Sequence, residues 1–306
     1  WGINFSRLDL KTNEKSSWAP MPRQFATANL AYTGTLVWDK PLGKAGPGFS
    51  LIPYVSTKAT RDNEAGIDPK LSGNAGLDAK VILSTSMNLD LTINPDYSQV
   101  EVDRQRTNLD RFELFFPEKR RFFLENSDLF ANLGTENTRP FFSRRIGLIS
   151  PVNAGARLSG KIGNNWRIGV MDMQTASHDT TPAGNFAVAV MQRKVFTRSN
   201  ITAFLVNKQL TGDFNDTTYS GNLFNRVAGL EYNLASRDNR ITGKAFYHRS
   251  FYPDAEREAA SMAANFTYST QYFTASLNQA RIGSDYLAET GYIRRKGYYE
   301  VNPALR

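Results

Sequence analysis

The segment Met87–Asn94 alternates strictly. Met87, Leu89, Leu91 and Ile93 are apolar; Asn88, Asp90, Thr92 and Asn94 are polar. Successive side chains of an extended chain point to opposite faces, so this is a strand with one face toward an apolar phase and one toward a polar phase. The period recurs. Ala154, Ala156, Leu158, Gly160 and Ile162 alternate with Arg157, Ser159 and Lys161, and Ala260, Met262, Ala264, Phe266 and Tyr268 with Ser261, Asn265 and Thr267. No 3.5- or 3.6-residue period persists, which argues against a coiled coil or helical bundle.

The pattern predicts a series of antiparallel hairpins. Strands are expected at residues 2–10, 25–38 and 49–57, then in hairpins 77–83/87–93, 154–162/166–170, 186–196/201–207, 226–235/240–249 and 260–268/273–277, and last at 290–301. Pro53 marks an edge or bulge. Lys40-Pro41-Leu42-Gly43 reads as a turn, Gly163-Asn164-Asn165 as a tight hairpin turn, and residues 11–23 and 58–73 as polar loops.

Two features favour a membrane barrel over a soluble sandwich with one solvated face. Connections at 84–86, 163–165, 197–200, 236–239 and 269–271 are short, whereas those at 174–184, 208–224, 250–257 and 281–289 are longer and polar, the asymmetry of outer-membrane barrels. The non-apolar face carries Arg, Lys, Asp, Asn and Thr at strand centre, as a wet lumen permits, and Trp38, Trp166, Phe196, Tyr247 and Tyr268 suit interfacial girdles. The expected fold is all-β, an antiparallel transmembrane β-barrel, partial with about 13 strands in this fragment because the chain stops within an expected strand. Residues 1–94 are expected to supply the first strands, 95–150 a lumenal plug-like insert, and 151–306 further hairpins.

Lys plus Arg exceed Asp plus Glu by 37 − 29 = 8, but the basic residues are scattered over turns and alternate strand positions. That suits anionic lipid headgroups and lipopolysaccharide better than nucleic acid, which is not expected as a partner. The absence of Cys excludes disulfides, thiolate metal sites and Cys catalysis. No apolar run approaches the roughly 18 residues of a membrane helix, whereas a barrel strand needs only about 9–11 alternating residues. The chain starts at Trp1 and stops at Arg306 within an expected strand, so it reads as a mature fragment of a longer protein.

The stretch 94–150 breaks the pattern. It holds nine basic and nine acidic side chains and eight of the chain's 20 Phe. Disordered segments lack such aromatics, so the stretch is expected to be ordered, folded inside the lumen, with its charges paired to the inner wall. Asn126-Ser127-Asp128 before Leu129-Phe130 predicts a short helix. The candidate site is a lumenal charge network of Asp96, Glu101, Asp103, Arg104, Arg111, Glu113, Glu118, Arg120, Arg121, Glu125, Arg144 and Arg145. Asp96, Glu101 and Asp103 are oxygen ligands suited to Ca²⁺, but at a spacing that matches no EF-hand loop. Glu113, Glu118 and Glu125 offer carboxylates of the glycosidase kind, set against the simpler reading of salt bridges to neighbouring Arg. His178 and His248 read as surface or lumen residues rather than a metal site. No GxSxG, P-loop or HExxH motif is present, and no cofactor is expected.

NPDYSQVEVD (94–103), NLDRFELFFPEKRRFFLENSDLF (108–130), PFFSRRIGL (140–148), GARLSGKIGNNWRIGVMDMQT (155–175) and the opening WGINFSR (1–7) resemble a Bacteroidota outer-membrane β-barrel family of unknown function. Its members usually carry a carbohydrate-binding family 9-like, DOMON-type domain before the barrel. WGINFSR resembles the last strand of that domain, and residues 285–306 a mid-barrel strand. The resemblance implies the bacterial cell outer membrane and a neighbouring domain; it supplies no catalytic mechanism. Two functions follow as expectations. One is a plugged barrel in transport, secretion or assembly, with protein partners in an outer-membrane complex and no turnover. The alternative is a surface glycan-binding or glycan-hydrolysing protein anchored by the barrel. A soluble β protein binding a polyanion is the third reading.

Overall fold

The computed structural model describes residues 1–40, 48–62, 67–95, 107–109, 111–178, 181–211, 221–253, 255 and 258–306. Within them the chain is all-β apart from short helical turns. At the N-terminus, β1 (Gly2–Ile3), β2 (Ser6–Asp9), β3 (Glu14–Ser17) and β4 (Gly34–Thr35) form two small sheets, β1 with β4 and β2 with β3. The single strand expected over 25–38 is instead a run of turns followed by the two-residue β4. Phe25 N–H donates to the Pro22 carbonyl (3.2 Å) and Asn29 N–H to that of Ala26 (2.9 Å). Tyr32 N–H donates to the Asn29 carbonyl (3.1 Å), and Ala31 N–H to Asn29 Oδ1 (2.9 Å). Asn29 thus offers the backbone a local alternative to a ladder. Ala26, Ala28 and Gly34 bring too little apolar area to hold an extended conformation against it.

The main body is a twelve-stranded antiparallel sheet. It begins with β5 (Phe49–Asp62), β6 (Ile67–Ser84) and β7 (Met87–Ile93). The chain then leaves the sheet through α1 (Arg121–Leu124), α2 (Asp128–Ala131), β8 (Thr138–Arg139) and a 3-10 turn at Ser143–Arg145. It returns as β9 (Val152–Ile162), which pairs directly with β7. A meander follows: β10 (Trp166–Thr175), β11 (Ala183–Val195), β12 (Ser199–Thr211), β13 (Phe224–Ala235), β14 (Ile241–Phe251), β15 (Ala260–Ser269) and β16 (Thr274–Ile282). β17 (Tyr292–Ile293) pairs with β8, and β18 (Tyr298–Leu305) with β16. Two sequence expectations change here. Residues 58–73 are largely sheet, since β5 and β6 continue to pair to Asp62 and Ile67; ladder hydrogen bonds are made by the backbone and do not require apolar side chains. The strand expected at 290–301 divides into β17 and β18, separated by Gly297 at φ +69°, which glycine adopts without a Cβ clash. The turn expected at 40–43 falls largely outside the described residues.

Residues paired across antiparallel strands share a face. Following the register, Ser50, Lys80, Asp90, Arg157, Met171, Val188, Val206, Val227 and Ser250 form one row. From Asp90 to Ser250 this row is almost wholly buried. The opposite face leaves Leu91, Val170, Leu205, Leu230, Met262, Phe266 and Leu277 exposed. The core lies on the first face, where Met171, Met173, Val188, Val190, Phe204, Val206 and Val227 meet Phe123, Leu129, Phe130, Leu133, Phe141 and Ile146 of the excursion between β7 and β9. Tyr286 and Ala288, from the segment between β16 and β17, complete it. Among the described residues no second large sheet covers this face, and β5 and β18 do not pair with each other, so the sheet is open at both edges. Among the described residues no helix is long and apolar enough to cross a membrane.

Candidate functional site

The excursion is fixed to the sheet by a series of contacts that begins at its base. Arg157 on β9 lies opposite Asp90 on β7. Its Nη2 and Nε donate to Asp90 Oδ2 at 2.7 and 3.2 Å, and its Nη1 donates to the carbonyl of Phe122, whose ring lies 5.1 Å from the guanidinium carbon. Lys80 pairs with Glu125, Asn126 Nδ2 donates to Ser159 Oγ (3.1 Å), and Arg167 clasps both carboxylate oxygens of Asp128 at 2.8 and 3.1 Å. Next to this clasp the sheet carries Gly169. A Cβ built there would lie 2.6 Å from Phe130 Cζ and 2.7 Å from Leu129 Cδ2, so α2 sits in the notch the missing side chain leaves.

A second anchor is centred on the buried Glu231. Glu231 on β13 accepts the Gly134 N–H on Oε1 (2.6 Å), and the same oxygen faces His248 Nε2 (3.0 Å). Glu231 Oε2 pairs with Lys244 Nζ (2.7 Å), which also donates to the Asn132 carbonyl (2.6 Å). Phe246 stacks on the imidazole at 4.1 Å between centroids, and Phe204 meets it edge-on at 4.9 Å. Gly229, between Phe204 and His248 in the register, leaves the room in which both rings lie. Close by, the Tyr286 hydroxyl is buried with no hydrogen-bond partner, and burial together with the Glu231 charge pushes the phenol above its ordinary range. His248 is thus wholly buried, whereas the sequence reading placed it on a surface or in a wet lumen.

The charge network expected from the sequence divides. Asp96, Glu101, Asp103 and Arg104 lie outside the described residues. Glu118 receives Arg120 Nε (2.9 Å), Arg120 Nη2 (2.7 Å), Ser143 Oγ (2.6 Å) and the backbone N–H groups of Lys119 and Arg120. Burial pushes the Glu118 carboxyl up, but the Arg120 hydrogen bond and charge and the Ser143 hydroxyl outweigh it and hold it below its ordinary value. Arg120 also donates to the Ile146 and Ser143 carbonyls and covers the Phe123 ring at 4.2 Å, so this pair ties the middle of the excursion to its 3-10 turn. Glu113 pairs with Arg145 (2.5 Å), and Arg144 Nη1 donates to the Pro117 carbonyl (2.8 Å). Arg111 lies 5.1 Å from the Phe112 ring centroid, and Arg121 is exposed beside a cleft of about 450 Å³ that also contains Lys80, Asp90 and Glu125. Glu113, Glu118 and Glu125 therefore each hold a cation. Among the described residues no three His, Asp or Glu side chains converge as a metal site.

The sequence reading missed Asp90–Arg157 and Glu231–Lys244–His248. Alternation assigns all five to one face, which was the available signal, but only the register makes them neighbours.

Residues 48–164, spanning β5 to β9 and the excursion, match a family model described as Domain of unknown function (DUF5916). No curated protein matches the chain. No solved structure matches it.

Proposed function

We propose that this chain forms much of the wall of a bacterial outer-membrane β-barrel whose lumen is occupied by residues 95–150, in a transport, secretion-associated or assembly role without catalytic turnover. The observation that carries the reading is the inverted burial of the twelve-stranded sheet. Leu205, Leu230, Met262 and Phe266 are exposed on one face, while Asp90, Arg157, Glu231 and His248 are buried on the other. Water disfavours so extensive an apolar face, whereas lipid accommodates it. The meander supports the same reading, because β9–β10, β11–β12, β13–β14 and β15–β16 are joined by short turns at one end and longer segments connect the strands at the other. Trp166, Phe196, Tyr268, Tyr272 and Phe273 gather at the short-turn end, where an interfacial girdle belongs. The excursion's engagement with the wall at Glu125, Asp128 and Gly134 supports a fixed lumenal segment. The partners of this reading are outer-membrane lipid, lipopolysaccharide and proteins of an outer-membrane complex.

The test is electrophoretic and electrical. The folded chain is expected to require detergent and to change its gel migration on boiling. Deleting residues 97–148 is expected to raise single-channel conductance in a bilayer. Detergent-independent solubility with unchanged migration would sink the membrane reading, and unchanged conductance would sink the lumenal one.

A further inference from the structure

We propose that the cavity between the excursion and strands β10–β12 is a binding site for an organic anion, a carboxylate or phosphate carried on an apolar body. The cavity measures about 480 Å³ and lies at the end of the sheet where the longer connections gather. That volume falls within the roughly 300–1,000 Å³ of small-molecule sites, which combine apolar walls with a few convergent polar groups. The walls here are apolar, with Phe186 and Leu210 from the sheet and Ile293 from β17. Three cations border the space: Arg145, Lys208 and Lys296.

The charge balance identifies the group that meets the ligand. Arg145 is engaged by Glu113, and its Nε donates to the Gly291 carbonyl (3.0 Å). Lys208 is engaged by Glu289, whose other oxygen accepts from Asn222 (2.6 Å). Lys296 has no ion pair or hydrogen bond among the described residues, so its charge is the uncompensated one at the cavity. A second, independent feature is Ser150, a residue of the same cavity lining whose hydroxyl is buried without a partner. A buried hydroxyl left unsatisfied is destabilising, and an oxyanion accepting from it relieves that cost. The arrangement suits a ligand whose anionic head meets Lys296 and Ser150 and whose apolar body fills the space beside Phe186 and Leu210. Binding at this site is independent of whether the lumen conducts.

The experiment titrates the purified folded chain with 2-naphthoate, 2-naphthyl phosphate and the neutral 2-naphthalenemethanol, following binding by calorimetry. At least one anion is expected to bind saturably and about tenfold or more tighter than the alcohol, the effect of one charge-assisted hydrogen bond. The tighter anion identifies the head group. Lys296→Glu is expected to remove this anion preference while leaving the weak binding of the alcohol unchanged, and Lys296→Arg to retain it. Lys296 is exposed, so its replacement leaves the core intact, and unchanged circular dichroism checks this. The absence of saturable binding by either anion overturns the site. So does an alcohol that binds as tightly as both anions, or a Lys296→Glu protein that retains the preference.

Discussion

Arg157 and Asp90 form a buried ion pair between the two strands from which the long excursion departs and to which it returns. Arg157 is 1% exposed and Asp90 6%. Because β7 and β9 are direct neighbours, the pair closes the base of the loop, and the third hydrogen bond of the guanidinium, to the Phe122 carbonyl, holds the loop's interior. One side chain thus couples sheet register to the placement of the excursion.

Replacing Arg157 by Ala is therefore expected to leave the buried Asp90 with only the Lys80 ammonium, 3.9 Å away, as counter-charge, at a cost of about 3 kcal/mol, the low end for breaking a buried pair. The urea midpoint of the folded gel band should fall accordingly. In a cycle with Asp90→Ala, the double variant should lose less than the sum of the two single losses. Strict additivity would show that the pair carries no coupling.

Gly169 tests the seating of α2. A side chain there meets Phe130 and Leu129 at well under van der Waals distance, so Gly169→Val is expected to lift the excursion at a cost of about 1–3 kcal/mol, the usual range for overpacking. The strand itself should persist, since valine favours β structure. Limited proteolysis should then cut within residues 107–150 faster while the sheet stays protected. Equal cleavage in both proteins would show that the notch does not seat the helix.

Glu118 gives a pH prediction with a definite sign. Its carboxyl lies below its ordinary value of 4.5 in the folded chain, so its contribution to stability is fully present above the unfolded pKa and is lost as pH falls through the folded one. Between neutral pH and the acid side of that window, the excursion should become progressively easier to cleave. Glu118→Gln should flatten that dependence and lower protection at neutral pH. A wild-type profile indistinguishable from that of the variant would assign the acid response to other groups.

Glu231 anchors the far side of the excursion. Glu231→Ala leaves the Lys244 ammonium and the Gly134 N–H without their acceptor, with an expected loss of about 3–5 kcal/mol for breaking a buried pair. The local signature is faster hydrogen exchange at the Gly134 amide. An unchanged exchange rate there would dissociate the two segments.

The alternation of Met87 to Ile93, and of the strands after Val152, determines by itself that the chain is a meander of two-faced strands and which residues share a face, because the side-chain period of an extended backbone is two. Charge density alone did not name the partners of the three carboxylates: Glu113 meets Arg145 and Glu118 meets Arg120, but Glu125 meets Lys80 of the sheet rather than a neighbouring arginine. The tertiary structure decided what a local pattern cannot encode. It set β9 beside β7, so that Asp90 meets Arg157, and it brought Gly134 to Glu231 across 97 residues. It also resolved 25–32 into turns, because alternation of small residues specifies a face without supplying the buried area that holds a strand. Face is a property of the local backbone; partner is a property of register and chain return.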